Sequence, residues 1–429
     1  MRIDRINIQN FRGFKELNIE LNPDFNLVIG DNGSGKTAIL EALSVAIGSF
    51  FLGIIGVDSR GIYNKDIRIA TFEHNEEYTF PVMVEAFGSI DNKQITWSRI
   101  LNGSDSRTTT KGSESIKKIA SLFDKNVRNG EEVDLPLLIY YSTDRLFNVA
   151  RDSDELTKNK QVNNIASRFR AYNRSLNAKS THKQFQNWFK RKELSKIQKN
   201  EKDISFDLVK NTILNCLPDC KNIYFEFDPD KPQGLKIELN DNRILPFSAL
   251  SDGTRNFFSI IADMAYRCIT LNPHLKDKAL LDTKGVVLID ELDLHLHPGW
   301  QRKIINILRD NFPQIQFIAT THSPFLIQET GQEQLIILKN NKIHKITSGV
   351  NLSIEDIAEE LQYVVNPQWS KSRQDMFDKA KEYYKAVKEG RDNPTIKSEF
   401  DEAMKPFALD TAFYAIIEQE KLLNNIKRK

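Results

Sequence analysis

The chain has 429 residues, beyond the ~250–300 at which a single hydrophobic core stops growing, so more than one lobe is expected. With 40% hydrophobic residues, 28% charged residues and a net charge of +2, its composition is that of a folded globular protein, and its bulk charge announces neither nucleic acid nor membrane. No apolar run approaches the ~20 residues of a spanning helix, and the opening MRIDRINIQNF suits a strand better than a leader; a cytoplasmic protein with no membrane partner is expected. Three cysteines exclude a disulfide framework. Cys216 and Cys220 lack a second Cys/His pair at finger spacing, so reduced, structural cysteines are expected rather than zinc ligands.

In chain order, residues 1–30 alternate apolar and polar side chains as a small antiparallel unit that feeds a buried strand, Phe25–Ile29. A helix over roughly Lys36–Ile47 follows a glycine-rich loop. Residues 67–101 read as further strands, EYTFPVMVEAF among them, and LPLLIYYST from Leu135 as a buried one. Residues 155–202 change texture: thirteen Lys/Arg stand against three Glu, with Phe169, Tyr172, Phe185, Trp188 and Phe189 interleaved. This basic, helix-compatible insertion suits a nucleic-acid backbone; equally, it is a solvated helical face whose aromatics pack on the rest of the protein. NIYFEFD and GLKIELN return to strand. ALSDGTRNFFSIIADMA follows as a Leu-Ser, Asp-Gly turn into an apolar-periodic helix. KGVVLIDELD and QIQFIATTH are continuous apolar runs of the kind that parallel sheets bury on both faces. Beyond about residue 351 the chain reads as charged amphipathic helices. The expected division is a first lobe over 1–150, the basic insertion over 151–220, a second lobe over 221–350 and a helical tail over 351–429.

GDNGSGKT fits the G-x-x-x-x-G-K-[ST] phosphate loop, placed after an apolar strand and at a helix start. Backbone N–H groups from Gly30 through Asn32, Gly33 and Gly35 can wrap phosphate oxygens. Lys36 neutralises them, and the Thr37 hydroxyl is placed to ligate Mg²⁺. Nucleotide binding, with ATP and Mg²⁺ as ligands, is the reading. GVVLIDELD delivers two acids at a strand end; burying them without a cation is costly. Asp290 is assigned to the Mg²⁺ shell and Glu291 to general-base activation of water. His295 and His297 shape the following loop or an interface in preference to holding metal. His322, past another buried strand, stands where ligands gather on a parallel sheet's edge and can meet a γ-phosphate or the attacking water.

The combination of phosphate loop, LSDGT helix start, apolar-Asp-Glu strand end and strand-end His resembles the ATP-binding-cassette ATPases. With NIQNFRGF ahead of the loop and a helical insertion, it is similar to their RecF and structural-maintenance-of-chromosomes branch. The resemblance implies an α/β fold: a P-loop parallel core sheet, an N-terminal antiparallel β unit, a short helical insertion and a helical C-terminal tail. It implies that two heads dock head to tail, with Ser251 and Gly253 on the γ-phosphate held by the partner's loop, and that Arg12 reaches toward the phosphates. Three departures stand out. Asp252 occupies a position where many members have glycine, His297 stands six residues beyond Glu291 where an Asp is usual, and LIYYSTDRL lacks the expected Gln. Slow or regulated turnover is therefore expected. YYSTDRL, FFLGIIG and the tail SEFDEAMKPFALDTAFYAIIEQEKL also resemble the PtuA-like ATPases of Septu and retron-linked antiphage systems. That resemblance implies a homo-oligomer and a separate HNH-type nuclease partner, the chain itself being no nuclease. A RecF-like repair ATPase that holds DNA through the basic insertion, and an ATP-locked scaffold, are the alternatives.

Overall fold

The structure is a computed structural model and describes residues 1–72, 75–143, 167–176, 182–200, 202–217, 219–344, 352–362, 364, 367, 369–391 and 393–407. The chain divides into two units, Met1–Asn351 and Leu352–Lys429.

The larger unit opens with β1 (Arg2–Phe11) and β2 (Phe14–Glu20), whose apolar residues turn to one face, then the almost wholly buried β3 (Phe25–Gly30) and α1 (Lys36–Gly48). A small hairpin, β4 (Ile69–Phe72) and β5 (Asn75–Tyr78), precedes β6 (Val82–Ile90) and β7 (Lys93–Leu101). The run EYTFPVMVEAF, expected as one strand, is two, because Pro81 has no N–H to give a ladder and β5 and β6 belong to different sheets. Strands β2-β1-β6-β7 form an antiparallel sheet in that order. Next come α2 (Glu114–Arg128), β8 (Leu137–Tyr141), α3 (His182–Lys199) and α4 (Ile204–Cys216). A three-stranded antiparallel sheet, β9 (Cys220–Glu226), β10 (Gly234–Leu239) and β11 (Ile244–Pro246), leads into α5 (Asp252–Leu271). The unit closes with α6 (Ala279–Asp282), β12 (Gly285–Ile289), α7 (Pro298–Asn311), β13 (Ile315–Thr320), α8 (Pro324–Gln328), β14 (Leu335–Lys339) and β15 (Lys342–His344).

The central sheet runs β15-β14-β3-β13-β12-β8 and is parallel from β14 through β8. Every residue of β8, β12 and β13 is buried, which explains their unbroken apolar sequences. Lys36–Gly53, the one stretch among the described residues with the length and apolarity of a membrane span, is 83% buried inside the protein. Cys216 and Cys268 are free and buried, and burial pushes each thiol up to about 12.

The insertion's aromatic side chains pack inward. Phe169, Tyr172, Phe185 and Phe189 are at most 3% exposed. Tyr172 lies 4.8 Å from Phe51 between ring centres, and Phe185 lies 5.9 Å from Phe258 of α5. Over its described part the segment therefore lies on the head and not as an arm, since exposing four such rings would forgo about 1.5–3 kcal/mol each. Residues 151–166 and 177–181 of the expected insertion, and 144–146 of LIYYSTDRL, lie outside the described residues. Beneath it, the Tyr141 hydroxyl donates to the Asp263 carboxylate at 2.8 Å, Arg267 Nε donates to the same oxygen at 2.8 Å, and Arg267 also donates to the Ala171 carbonyl. All four residues are buried.

In the smaller unit, a single turn α9 (Ile354–Asp356) precedes a helical pair, α10 (Lys371–Lys388) and α11 (Pro394–Met404). Met376 and Met404 form its core with Phe377, Tyr384, Phe400 and Phe407 around them. The remainder of the expected tail, 408–429, lies outside the described residues.

Candidate nucleotide site

The parallel sheet brings three strand ends to one edge. β3 ends in the loop that enters α1. Gly35, the residue before α1, has φ 101°, a backbone that favours glycine, and a Cβ there would sit 2.5 Å from the Phe14 ring. The NFRGF element thus presses on the loop from below. No side chain caps the start of α1, so N–H groups at the head of a 13-residue helix are left for an external acceptor. Ser34 Oγ is buried without a partner in the same loop. Lys36 Nζ donates to the carbonyls of Gly30 (2.8 Å) and Asp31 (2.9 Å). Burial lowers its pKa, opposed by the carboxylates of Asp290, Glu291, Asp31 and Asp293. An uncapped helix start, an orphan hydroxyl and a buried ammonium fit a polyphosphate. Asn32 and Gly33 lie exposed at the loop's crest.

Asp290 follows the last residue of β12 and is 1% exposed. The Thr37 hydroxyl donates to its carboxylate at 3.0 and 3.3 Å, so the two expected Mg²⁺ ligands converge as hard oxygens suited to that ion. Glu291 follows with φ 49° at the turn out of the strand. β13 lies between β3 and β12, and the pairing of Ile289 with Ala319 sets Thr320 beside Asp290. The Thr320 hydroxyl donates to Asp290 at 2.6 Å and accepts the Glu291 N–H at 2.8 Å. Thr321 in turn donates to Asp293 at 2.5 Å. His322 comes next, exposed. Burial of its inner side and the nearby Lys36 ammonium lower its pKa, against the pull of Asp293, Glu291 and Asp290.

Arg12, with φ 49°, is held 3.1 Å from Asp66 and 3.5 Å from Glu41, and Arg60 binds the same two carboxylates at 2.9 and 2.6 Å. Glu41 stands one turn along α1 from Thr37, so this cluster anchors Arg12 beside the phosphate loop.

Lys36, Thr37, Asp290, Glu291 and His322 therefore come together in one chain. Ser251 and Gly253 do not join them: no hydrogen bond or ion pair among the described residues links them to the loop. Ser251 caps α5, its exposed hydroxyl accepting from the Thr254 N–H at 3.3 Å, and Asp252 pairs with Arg255. A Cβ on Gly253 would fall 2.0 Å from the His295 carbonyl oxygen, so glycine lets α5 touch the loop that follows Glu291. His297 caps α7, its Nδ1 accepting from Gly299 N–H at 3.2 Å, and no group of three or more His, Cys, Asp or Glu among the described residues is arranged to hold a metal.

Reading the sequence missed Thr320, Asp293, Glu41, Arg60 and Asp66. For Thr320 the doublet TT before His322 was the available signal; the others have none short of the fold. Thr320→Val is expected to lower ATP turnover about 10–100-fold with little change in fold, because a hydrogen bond to a charged group contributes about 1.5–3 kcal/mol. Steady-state phosphate release beside a melting curve checks it.

A phosphate loop and an acidic strand end separated by one parallel strand make this a P-loop nucleotide-binding fold. The model of the family described as "AAA domain, putative AbiEii toxin, Type IV TA system" matches residues 25–328, and the chain belongs to that family. "Retron Ec83 probable ATPase" of Escherichia coli is 27% identical over 423 residues, covering 82% of this chain and 74% of that one. "Septu protein PtuA" of Bacillus thuringiensis is 27% identical over 341 residues, covering 78% and 75%. Among solved structures, an SMC head bound to the C-terminal winged-helix domain of ScpA aligns with a TM-score of 0.49 at 17% identity, covering 81% of this chain and 98% of that one. The chain is an ATPase related to the retron and Septu proteins.

Proposed function

We propose that the chain hydrolyses ATP at a site completed by a second copy, and that docking and release of the two heads govern a separate nuclease of the HNH type in bacterial antiphage defence. The observation that carries this reading is the start of α5: Ser251 is exposed, and among the described residues no hydrogen bond or ion pair ties it to its own phosphate loop. The positive end of a helix is suited to an anion, and the only strong anion in the reading is a γ-phosphate on the loop of another copy. The resemblance to Septu and retron proteins supports the defence setting and is in keeping with work in the cytoplasm.

Thr37 and Asp290 would hold Mg²⁺, which would supply charge neutralisation when bound. Glu291 takes a proton from water as the water oxygen bonds the γ-phosphorus; the bond to the bridging oxygen breaks and ADP leaves. Lys36 and Arg12 balance charge on the phosphoryl oxygens. His322 orients the water or the γ-phosphate as a neutral imidazole, because its pKa lies below the ordinary 6.5. The acid limb of the turnover profile is accordingly expected below pH 6.5, where the imidazole gains its proton. His322→Gln, which does not titrate, should lack that limb; the same limb in the variant would assign it elsewhere.

Mixing two defective variants tests the composite site. Lys36→Ala retains its α5 start and Ser251→Arg retains its loop, so a head-to-tail pair regains one working site. Recovered turnover on mixing supports the reading; two variants that stay inactive together defeat it.

A further inference from the structure

We propose that the face of α3 bearing Arg191, Lys192, Lys196 and Lys199, with Lys202 and Lys276 beside it, binds the phosphodiester backbone of nucleic acid. Lys192, Lys196 and Lys199 follow at i+3 and i+4 spacing on the stripe that begins with the buried Phe185 and Phe189, so the first half of α3 packs on the protein and its second half turns basic. The basic face borders two clefts of about 470 and 400 Å³ that share Lys192, Ser205 and Pro273 in their walls. Eight Lys and Arg line the two clefts and a single carboxylate, Asp203, opposes them.

Three of these eight charges are spent inside the protein, Arg168 among them through the Leu271 carbonyl at 2.7 Å. Lys192 pairs with Asp203 at 2.7 Å and Lys196 with Asp207 at 2.5 Å. Arg170, Lys199, Lys202 and Lys276 are exposed and make no ion pair among the described residues, and Arg191 donates only to the Asn187 carbonyl. A concave surface that gathers cations without partners raises the local anion concentration. From Arg191 to Lys199 the face runs about 12 Å along the helix, over which a duplex presents about seven phosphate charges.

Backbone contact is favoured over base contact. Trp188, which lines the cleft, lies 5.4 Å from Tyr266 and 6.1 Å from Phe206 between ring centres, and its ring is engaged with the protein. Without a free ring to stack on, recognition falls to charge and is independent of sequence. Tyr266 and Thr270 place the C-terminal half of α5 against the same cleft. The cleft and Ser251 thus lie on one helix, about 22 Å apart, and nucleic acid would grip the far end of the element that meets the partner's phosphate.

Fluorescence anisotropy of the full-length protein with a short duplex of mixed sequence, a single DNA strand and an RNA hairpin tests the surface. Variants are Arg191→Glu/Lys199→Glu/Lys202→Glu and a control, Lys15→Glu/Lys93→Glu, on the N-terminal sheet. The wild type and the control should bind with a log–log salt slope of about −3 to −5, and the triple variant should lose about 100-fold in affinity and about 3 in slope. Equal ATP-induced melting shifts in all three show that fold and nucleotide site are intact, which separates this result from the ATP reading. Of the three probes, whichever the triple variant releases is the class bound. The proposal is overturned by a triple variant that binds as the wild type does, by an absence of binding at low salt, or by polyglutamate that displaces the probes at equal charge concentration. The last result would make the face a dock for an acidic protein.

Discussion

Lys36→Ala will remove the rise in melting temperature that ATP gives the wild type and lower turnover by at least about 10²–10³-fold, the cost of one pre-placed donor at a reacting phosphate. The lysine is nearly enclosed, and its ammonium is aimed across the loop by the Gly30 and Asp31 carbonyls, 2.8 and 2.9 Å away. Truncation leaves those carbonyls and the Asp290 carboxylate without their nearest cation, so nothing nearby substitutes for it. Differential scanning fluorimetry with ATP and Mg²⁺ gives the result directly. A variant that keeps the wild-type shift would show that the ligand is held somewhere else, and the assignment of the loop would fail with it.

Glu291→Gln should act differently. The amide keeps the volume and the Glu291 N–H bond to Thr320 but cannot take a proton from water, so turnover should fall about 10²–10⁴-fold while ATP affinity stays. Two-headed assemblies should then accumulate on adding ATP, read as a doubling of mass by light scattering, and affinity purification of that trapped state should carry the nuclease with it. Near-normal turnover would place the base elsewhere. A slow variant that remains a single copy would remove the head-to-tail docking. Cells protected by Glu291→Gln but not by Lys36→Ala would favour an ATP-locked scaffold over a hydrolytic cycle.

The layout of the candidate site was legible wherever it lay in consecutive residues. GDNGSGKT, LIDEL and TTH each set their side chains within a few positions, because a strand end followed by a tight turn fixes which atoms reach the sheet's edge. Thr320 was not legible: its bonds to Asp290 and Glu291 come from parallel register between β12 and β13, thirty residues apart. Glu41, Arg60 and Asp66 form their cluster only once α1 is laid against the N-terminal sheet. The insertion was ambiguous for a related reason. Its composition mixes basic side chains with aromatic ones, and composition alone does not say which of them meet the protein; Phe169, Tyr172, Phe185 and Phe189 settle that by their burial. The break at Pro81 was readable and went unread, since a proline inside EYTFPVMVEAF argues against one continuous strand.

The buried trio of Tyr141, Asp263 and Arg267 limits how such a machine can move. Breaking one member of a buried ion pair costs about 3–5 kcal/mol because the other is stranded in a dry interior, a sum that an ATP cycle would have to spend at each stroke. Tyr141 closes the strand beside β12, and Asp263 and Arg267 sit midway along α5. The joint between them is a weld and not a hinge. Motion within the larger unit is therefore left to the chain on either side of it, and α5 with its strand should travel as a single stiff beam.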